Sequence, residues 1–130
     1  MNRALYVDNK GVRWDTNDAD FEGYLYKQSR WVKEWRRRYL ILKGSKVFFS
    51  KSSDCAPHGM IDLVDCISVK PADAKTRKPF SLEISSSDDS ICMYAESERE
   101  KDEWINAIGI AISKHSSMLF NEEEGSEEER

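Results

Sequence analysis

The chain has 130 residues, of which 39% are apolar and 34% charged, with a formal net charge of −4. That length supports one compact core and one domain, while a mean hydropathy of −0.70 without a long apolar run excludes a membrane-spanning helix. Cys55, Cys66 and Cys92, an odd number without CxxC spacing, call for neither a disulfide framework nor a zinc site and point to a reducing cytosol; residues 1–10 lack the apolar stretch of a secretory signal.

The charge is unevenly distributed. The last ten residues carry six Glu and one Arg, a net of −5, whereas residues 27–51 hold nine Lys/Arg against the single acid Glu34, a net of +8. A dipolar surface of this kind steers an anionic partner to one end of the molecule even when the total is negative.

In chain order, residues 1–20 form a polar arm in which Leu5, Tyr6, Val7, Val12 and Trp14 are able to pack. Short alternating runs follow at 22–28, 36–43, 46–51, 59–63, 66–69, 80–86 and 91–95, rich in Tyr, Leu, Ile, Val and Phe, and they predict seven strands. Gly44-Ser45 marks a tight turn between the second and third, and Ser87-Asp88-Asp89 another before the last. Pro57, Pro71 and Pro79 fall between the runs. The period then changes. Ser97 and Glu100 form a capping box, and Trp104, Ile108, Ala111 and Ile112 recur at helical spacing, with acids in the first turns and Lys114 and His115 at the end. This predicts one helix of about five turns, then an acidic, disordered tail over 116–130. The plan is α+β, mostly β: a bent sheet whose open end the helix plugs.

The first hairpin carries the chemistry. Strand alternation puts Gly23, Leu25 and Lys27 on one face of the first strand, and Arg36, Arg38, Leu40 and Leu42 on one face of the second. With the leucines in the core, Lys27, Arg36 and Arg38 continue the inward row at the loop end. Three converging cations repel one another unless an anion joins them, which suits a multiply phosphorylated ligand. In the connecting loop, Trp31 and Val32 lie at the tip between cations, a pattern suited to a lipid interface, while Trp35 is expected to fold back over the hairpin.

Gly23-Tyr-Leu-Tyr-Lys27, then eight residues, then Arg36-x-Arg38-Tyr39, resembles the pleckstrin homology (PH) domain, specifically the basic signature of members that bind 3-phosphorylated inositol lipids. Gly59-Met-Ile-Asp-Leu and Glu103-Trp104-Ile-Asn-Ala-Ile108 match the family as well, and the resemblance covers residues 21–113. The wording of residues 33–39, Asp65-Cys66 and residues 103–109 is similar to that of small single-PH-domain proteins of plants. The resemblance implies a seven-stranded, bent antiparallel sandwich or barrel capped by one C-terminal helix, with the domain at 21–115. It also implies a headgroup site built from Lys27, Arg36, Arg38 and Lys51, and membrane contact through Arg30, Trp31, Val32 and Lys33. One departure is that several members carry a Tyr near the end of the third strand, where this chain has Phe48-Phe49-Ser50.

The expected function is therefore a cytoplasmic, monomeric module reversibly recruited to membranes by phosphoinositide lipids, with no cofactor or metal. The alternative is a protein-interaction adaptor of the same fold that binds anionic lipid weakly, favoured if an apolar groove lies beside the helix. Catalysis is not expected: there is no Gly-rich phosphate loop, and His58 and His115 read as surface residues without a nucleophile partner. Nucleic acid is disfavoured by the scarcity of exposed aromatics among the basic residues and by the surrounding acids.

Overall fold

The computed structural model describes the backbone of residues 4–128 and the side chains of residues 4–115. The seven expected strands are present as β3 (Phe21–Gln28), β4 (Trp35–Lys43), β5 (Lys46–Ser50), β6 (Gly59–Asp62), β7 (Cys66–Pro71), β8 (Ser81–Ser86) and β9 (Ser90–Tyr94). They form one antiparallel sheet in the order β6-β5-β4-β3-β9-β8-β7. Pro71, expected between strands, is the last residue of β7. That strand is an edge of the sheet, where a missing N–H costs no ladder bond. The β4–β5 turn is the two-residue Gly44-Ser45 loop, closed by the Lys43–Lys46 pair, with Gly44 at φ +60°.

The register places Lys27 opposite Arg36, Leu25 opposite Arg38 and Gly23 opposite Leu40, so each pair shares a face. Leu25, Leu40 and Leu42 are buried with Val47, Phe49, Leu82, Ile84 and Met93. The helix α2 (Glu98–Glu128) seals this core with Trp104, Ile108 and Ile112, the Trp104 ring meeting Phe21 edge-on at 4.7 Å. Each such fully buried side chain contributes roughly 1.5–3 kcal/mol of apolar transfer. Ser97 caps the helix as its spacing predicts, accepting the Glu100 N–H at 3.2 Å.

Three features differ from expectation. The N-terminal arm is a hairpin of β1 (Leu5–Val7) and β2 (Arg13–Asp15). It lies on the outer face of the sheet, where Tyr6 meets Phe48 edge-on at 5.7 Å. Ile41 and Phe48, paired across β4 and β5 on the face away from the core, are buried nonetheless. A single helical turn, α1 (Asp73–Thr76), interrupts the β7–β8 connection and ends on Arg77 in the left-handed region at φ +62°. Finally, the backbone stays helical to Glu128, through most of the segment expected to be a disordered tail, so Lys114 and His115 are not at the helix end. Residues 116–124 contain neither Pro nor Gly, and their Met, Leu, Phe and Glu are compatible with continuing a helix.

Candidate anion-binding cleft

Strands β3 and β9 pair only at Tyr26–Tyr94 and Lys27–Met93. Beyond those pairs they part, and a cleft of about 450 Å³ opens at the loop end of the first hairpin. Its walls come from β3 and the β3–β4 loop, the β8–β9 turn, the start of β6 and α1.

Lys27 and Arg38 line this cleft, as the alternation of β3 and β4 requires. Lys27 is half-buried, with its ammonium 5.1 Å from the centroid of the Phe49 ring. Burial, followed by the charges of Arg38, Arg30 and Arg36, pulls its pKa below that of an ordinary lysine. Arg38 donates to the Arg37 carbonyl at 2.8 Å. Arg36 does not line the cleft. Its guanidinium is exposed and bonds Glu34, two residues back, at 2.9 Å, although its charge still reaches Lys27. Lys51, exposed just past β5, is also off the wall. Its charge acts on His58, which does line the cleft.

The loop residues divide in the same way. Trp31 is 88% and Val32 60% exposed, the tip anticipated from the sequence. Arg30 and Lys33, expected at a membrane, line the cleft as well. Arg30 sits over Trp31, 5.9 Å from the ring centroid, and forms an ion pair with Asp89 in the β8–β9 turn. Trp35 folds back as expected, edge-on to Tyr94 at 5.0 Å, and Tyr94 stacks on Tyr26 at 4.7 Å. The base of the loop is closed by the Ser29 N–H to Glu34 carbonyl bond of 2.7 Å.

Sequence reasoning missed three charged or imidazole side chains of the wall, those of His58, Lys75 and Asp89. His58 is exposed at the rim of the cleft; partial desolvation and the charges of Arg38, Lys51 and Lys27 push its pKa below the ordinary histidine value. Lys75, on α1, is bound to the buried carboxylate of Glu83, which also lies 4.0 Å from Lys70. The hydrogen bond from Lys75 holds the Glu83 carboxyl below the usual carboxylate range and raises Lys75 in return. Asp89 was legible in principle. An antiparallel count from β3 through β9 brings the β8–β9 turn to the same end as the β3–β4 loop. Where several PH domains carry a Tyr, Phe49 presents a bare ring to the cleft, and the Ser50 hydroxyl is buried on the opposite face of β5.

A second, more apolar cavity of about 570 Å³ lies between α2 and the β4–β5 turn, lined by Phe21, Leu42, Ala107, Ile110 and Ala111. Lys114 and His115 border it beside Gly44 and Ser45. These are the last residues whose side chains are described, and they sit at the opposite end of β4 from the cleft.

The described residues thus form a seven-stranded antiparallel sheet capped by a C-terminal helix, with a cationic cleft among the loops at one end. The family model described as PH domain matches residues 19–113, and the chain belongs to that family. It is 37% identical over 122 residues to Pleckstrin homology domain-containing protein 1 of Arabidopsis thaliana, covering 89% of this chain and 83% of that one. It is 34% identical over 102 residues to a PH domain-containing protein of Dictyostelium discoideum, of which it spans only 22%. Among solved structures, the C-terminal PH domain of pleckstrin in complex with D-myo-Ins(1,2,3,4,5)P5 is similar, with a TM-score of 0.62 and 27% identity over 72% of this chain and 97% of that one.

Proposed function

We propose that this chain is a phosphoinositide-binding membrane-recruitment module that reads 3-phosphorylated inositol lipid headgroups in the cleft at the loop end of β3 and β4. The observation that carries the reading is the facing of Lys27, Lys33 and Arg38 into one cleft. Among the described residues none of the three has a carboxylate partner. Like charges held together in this way favour a polyanion between them. The similar C-terminal PH domain of pleckstrin was solved in complex with an inositol pentakisphosphate, which is the same ligand chemistry. Arg36 and Lys51 strengthen the local potential from outside the wall, and Trp31 and Val32 enter the headgroup layer. In this reading the protein is a monomer that binds the cytoplasmic leaflet peripherally and reversibly.

Surface charge alone is insufficient for recruitment. Cations near an anionic leaflet contribute about 1 kcal/mol each. Four of them give roughly 4 kcal/mol, or about millimolar affinity, and salt screens that attraction. Specific recruitment needs charge-assisted phosphate contacts from Arg38 and Lys27 together with the loop tip. Co-sedimentation with vesicles carrying single phosphoinositide isomers tests this. Wild type is expected to prefer 3-phosphorylated lipids and Arg38→Ala to lose that preference; equal binding of both proteins to every anionic vesicle overturns the reading.

The apolar cavity beside α2 favours a second reading, an interaction adaptor whose partner docks on Ala107 and Ile110. Under that reading Ile110→Asp abolishes recruitment in cells while Arg38→Ala leaves it intact.

A further inference from the structure

The cleft holds a carboxylate of its own. Asp89 is the single acid among the described residues of its wall, which it shares with Lys27, Lys33 and Arg38. Both of its oxygens are engaged: Oδ1 accepts the Ser90 N–H at 2.8 Å, and Oδ2 pairs with the Arg30 guanidinium. The turn beneath it is stiff. The Ser86 N–H donates to the Asp89 carbonyl at 2.8 Å, and the Ser86 hydroxyl both accepts from the Asp89 N–H and donates to its carbonyl, each at 3.2 Å. The acid is therefore held by its own turn, while Arg30, on the β3–β4 loop, is exposed and tied to that turn through this one ion pair.

We propose that Asp89 is a specificity-determining latch: in the free protein it holds Arg30 across the mouth of the cleft, and a multiply phosphorylated headgroup binds fully only by taking Arg30 away from it. This deepens the headgroup reading above and rests on it. The pair is substantially exposed, with side-chain exposures of 63% for Arg30 and 40% for Asp89, so it is weakly held. A phosphate offers the guanidinium two parallel charge-assisted bonds where the carboxylate oxygen offers one. A headgroup whose lone ring phosphate is taken up by Lys27 and Arg38 leaves the latch shut, with the Arg30 charge spent on Asp89 instead of on the ligand. A second ring phosphate reaches Arg30 and opens it. The latch thus counts phosphates. Because Arg30 also lies over Trp31, opening it releases the loop tip from the β8–β9 turn.

Calorimetric titration with a soluble inositol tetrakisphosphate and a soluble inositol bisphosphate, repeated on vesicles bearing the corresponding lipids, tests the latch. Asp89→Asn keeps the Oδ1 acceptor, so the turn is preserved, and an unchanged melting curve checks this. Asp89→Asn is expected to bind the tetrakisphosphate about two- to fivefold tighter, the effect of one partly exposed charge, with a smaller gain on the bisphosphate. Asp88→Asn, which removes the same charge from the neighbouring exposed position, is expected to change little. In an Arg30→Ala background the Asp89→Asn gain shrinks, because there is no guanidinium left to free. Equal gains with and without Arg30, or equal gains from Asp88→Asn, reduce Asp89 to bulk surface charge and overturn the latch while leaving the cleft reading intact. If Arg38→Ala leaves soluble headgroup binding unchanged, the cleft reading fails and the latch with it. Gains confined to vesicles, without any on the soluble ligands, also overturn the latch.

Discussion

The ammonium of Lys27 lies 5.1 Å from the centroid of the Phe49 ring, at the boundary between the leucine core and the open cleft. The ring face supplies the negative partner that a carboxylate would otherwise provide. It does not fully offset burial and the neighbouring arginines, which together lower the lysine's pKa. The sign follows from that direction: the charged form is disfavoured in the fold, so Lys27 costs stability at neutral pH and the cost falls as pH rises through its depressed folded value. Lys27→Met is therefore expected to leave the melting temperature unchanged or raise it. The same substitution loses a charge-assisted phosphate contact of about 1.5–3 kcal/mol, a loss of affinity of roughly tenfold or more. Melting curves and headgroup titrations on one preparation check both halves; a large drop in stability contradicts the first.

His58 gives the cleft a pH dependence. The charges of Arg38, Lys51 and Lys27 reach its ring, and partial desolvation together with those charges keeps it neutral to lower pH than usual. A bound polyanion reverses the local field and favours protonation, so binding takes up a proton. Headgroup affinity is expected to rise as pH falls from about 8 through the ordinary histidine value near 6.5. The unliganded fold loses a little stability over the same fall, because its His58 resists the proton. Titrations at several pH values, with His58→Gln as the comparison, read this out: the substitution flattens the slope, and a slope that survives it points to another group.

Tyr6 and Phe48 make the N-terminal hairpin part of the folded unit, although the family match begins only at residue 19. Tyr6→Ala removes an edge-on aromatic pair and opens space above a ring that is only 2% exposed. The expected cost is about 1–3 kcal/mol. Headgroup affinity should stay within error, because the cleft lies on other elements. Trimming residues 1–16 bares the Phe48 ring and is expected to cause association, visible by light scattering.

The sequence made the inward row of the hairpin legible because strand alternation is a local rule. Leu25, Leu40 and Leu42 are in the core, and Lys27 and Arg38 continue that row into the cleft. Arg36 obeys the same alternation yet leaves the wall, because Glu34 in the adjoining loop captures it. Pairing between side chains near a strand end does not follow from backbone period. His58, Lys75 and Asp89 arrive from three other elements, and their approach depends on how β3 and β9 separate, a tertiary property without a local signature. The N-terminal hairpin was obscured for a related reason. Three-residue strands are too short to show a period, and a contact that ties them to the sheet, Tyr6 on Phe48, joins residues about 40 positions apart.

Trp31 separates headgroup recognition from membrane residence. At 88% exposure its ring has little to lose within the protein, so Trp31→Ala should leave the melting temperature unchanged. Soluble inositol phosphate binding should be preserved too, because the ring is not on the cleft wall. On vesicles the substitution removes an interfacial aromatic, and binding is expected to weaken by about tenfold, equivalent to ~1.4 kcal/mol. Raising the salt should deepen the defect: screening weakens what the surrounding cations contribute and leaves apolar insertion as the larger share of the remaining affinity. Trp31→Phe, which keeps a ring at the tip, should restore most of the loss. A Trp31→Ala protein that binds vesicles and soluble headgroup equally well, at low and high salt, would show that the loop tip stays in water and that the cleft alone holds the protein on the membrane.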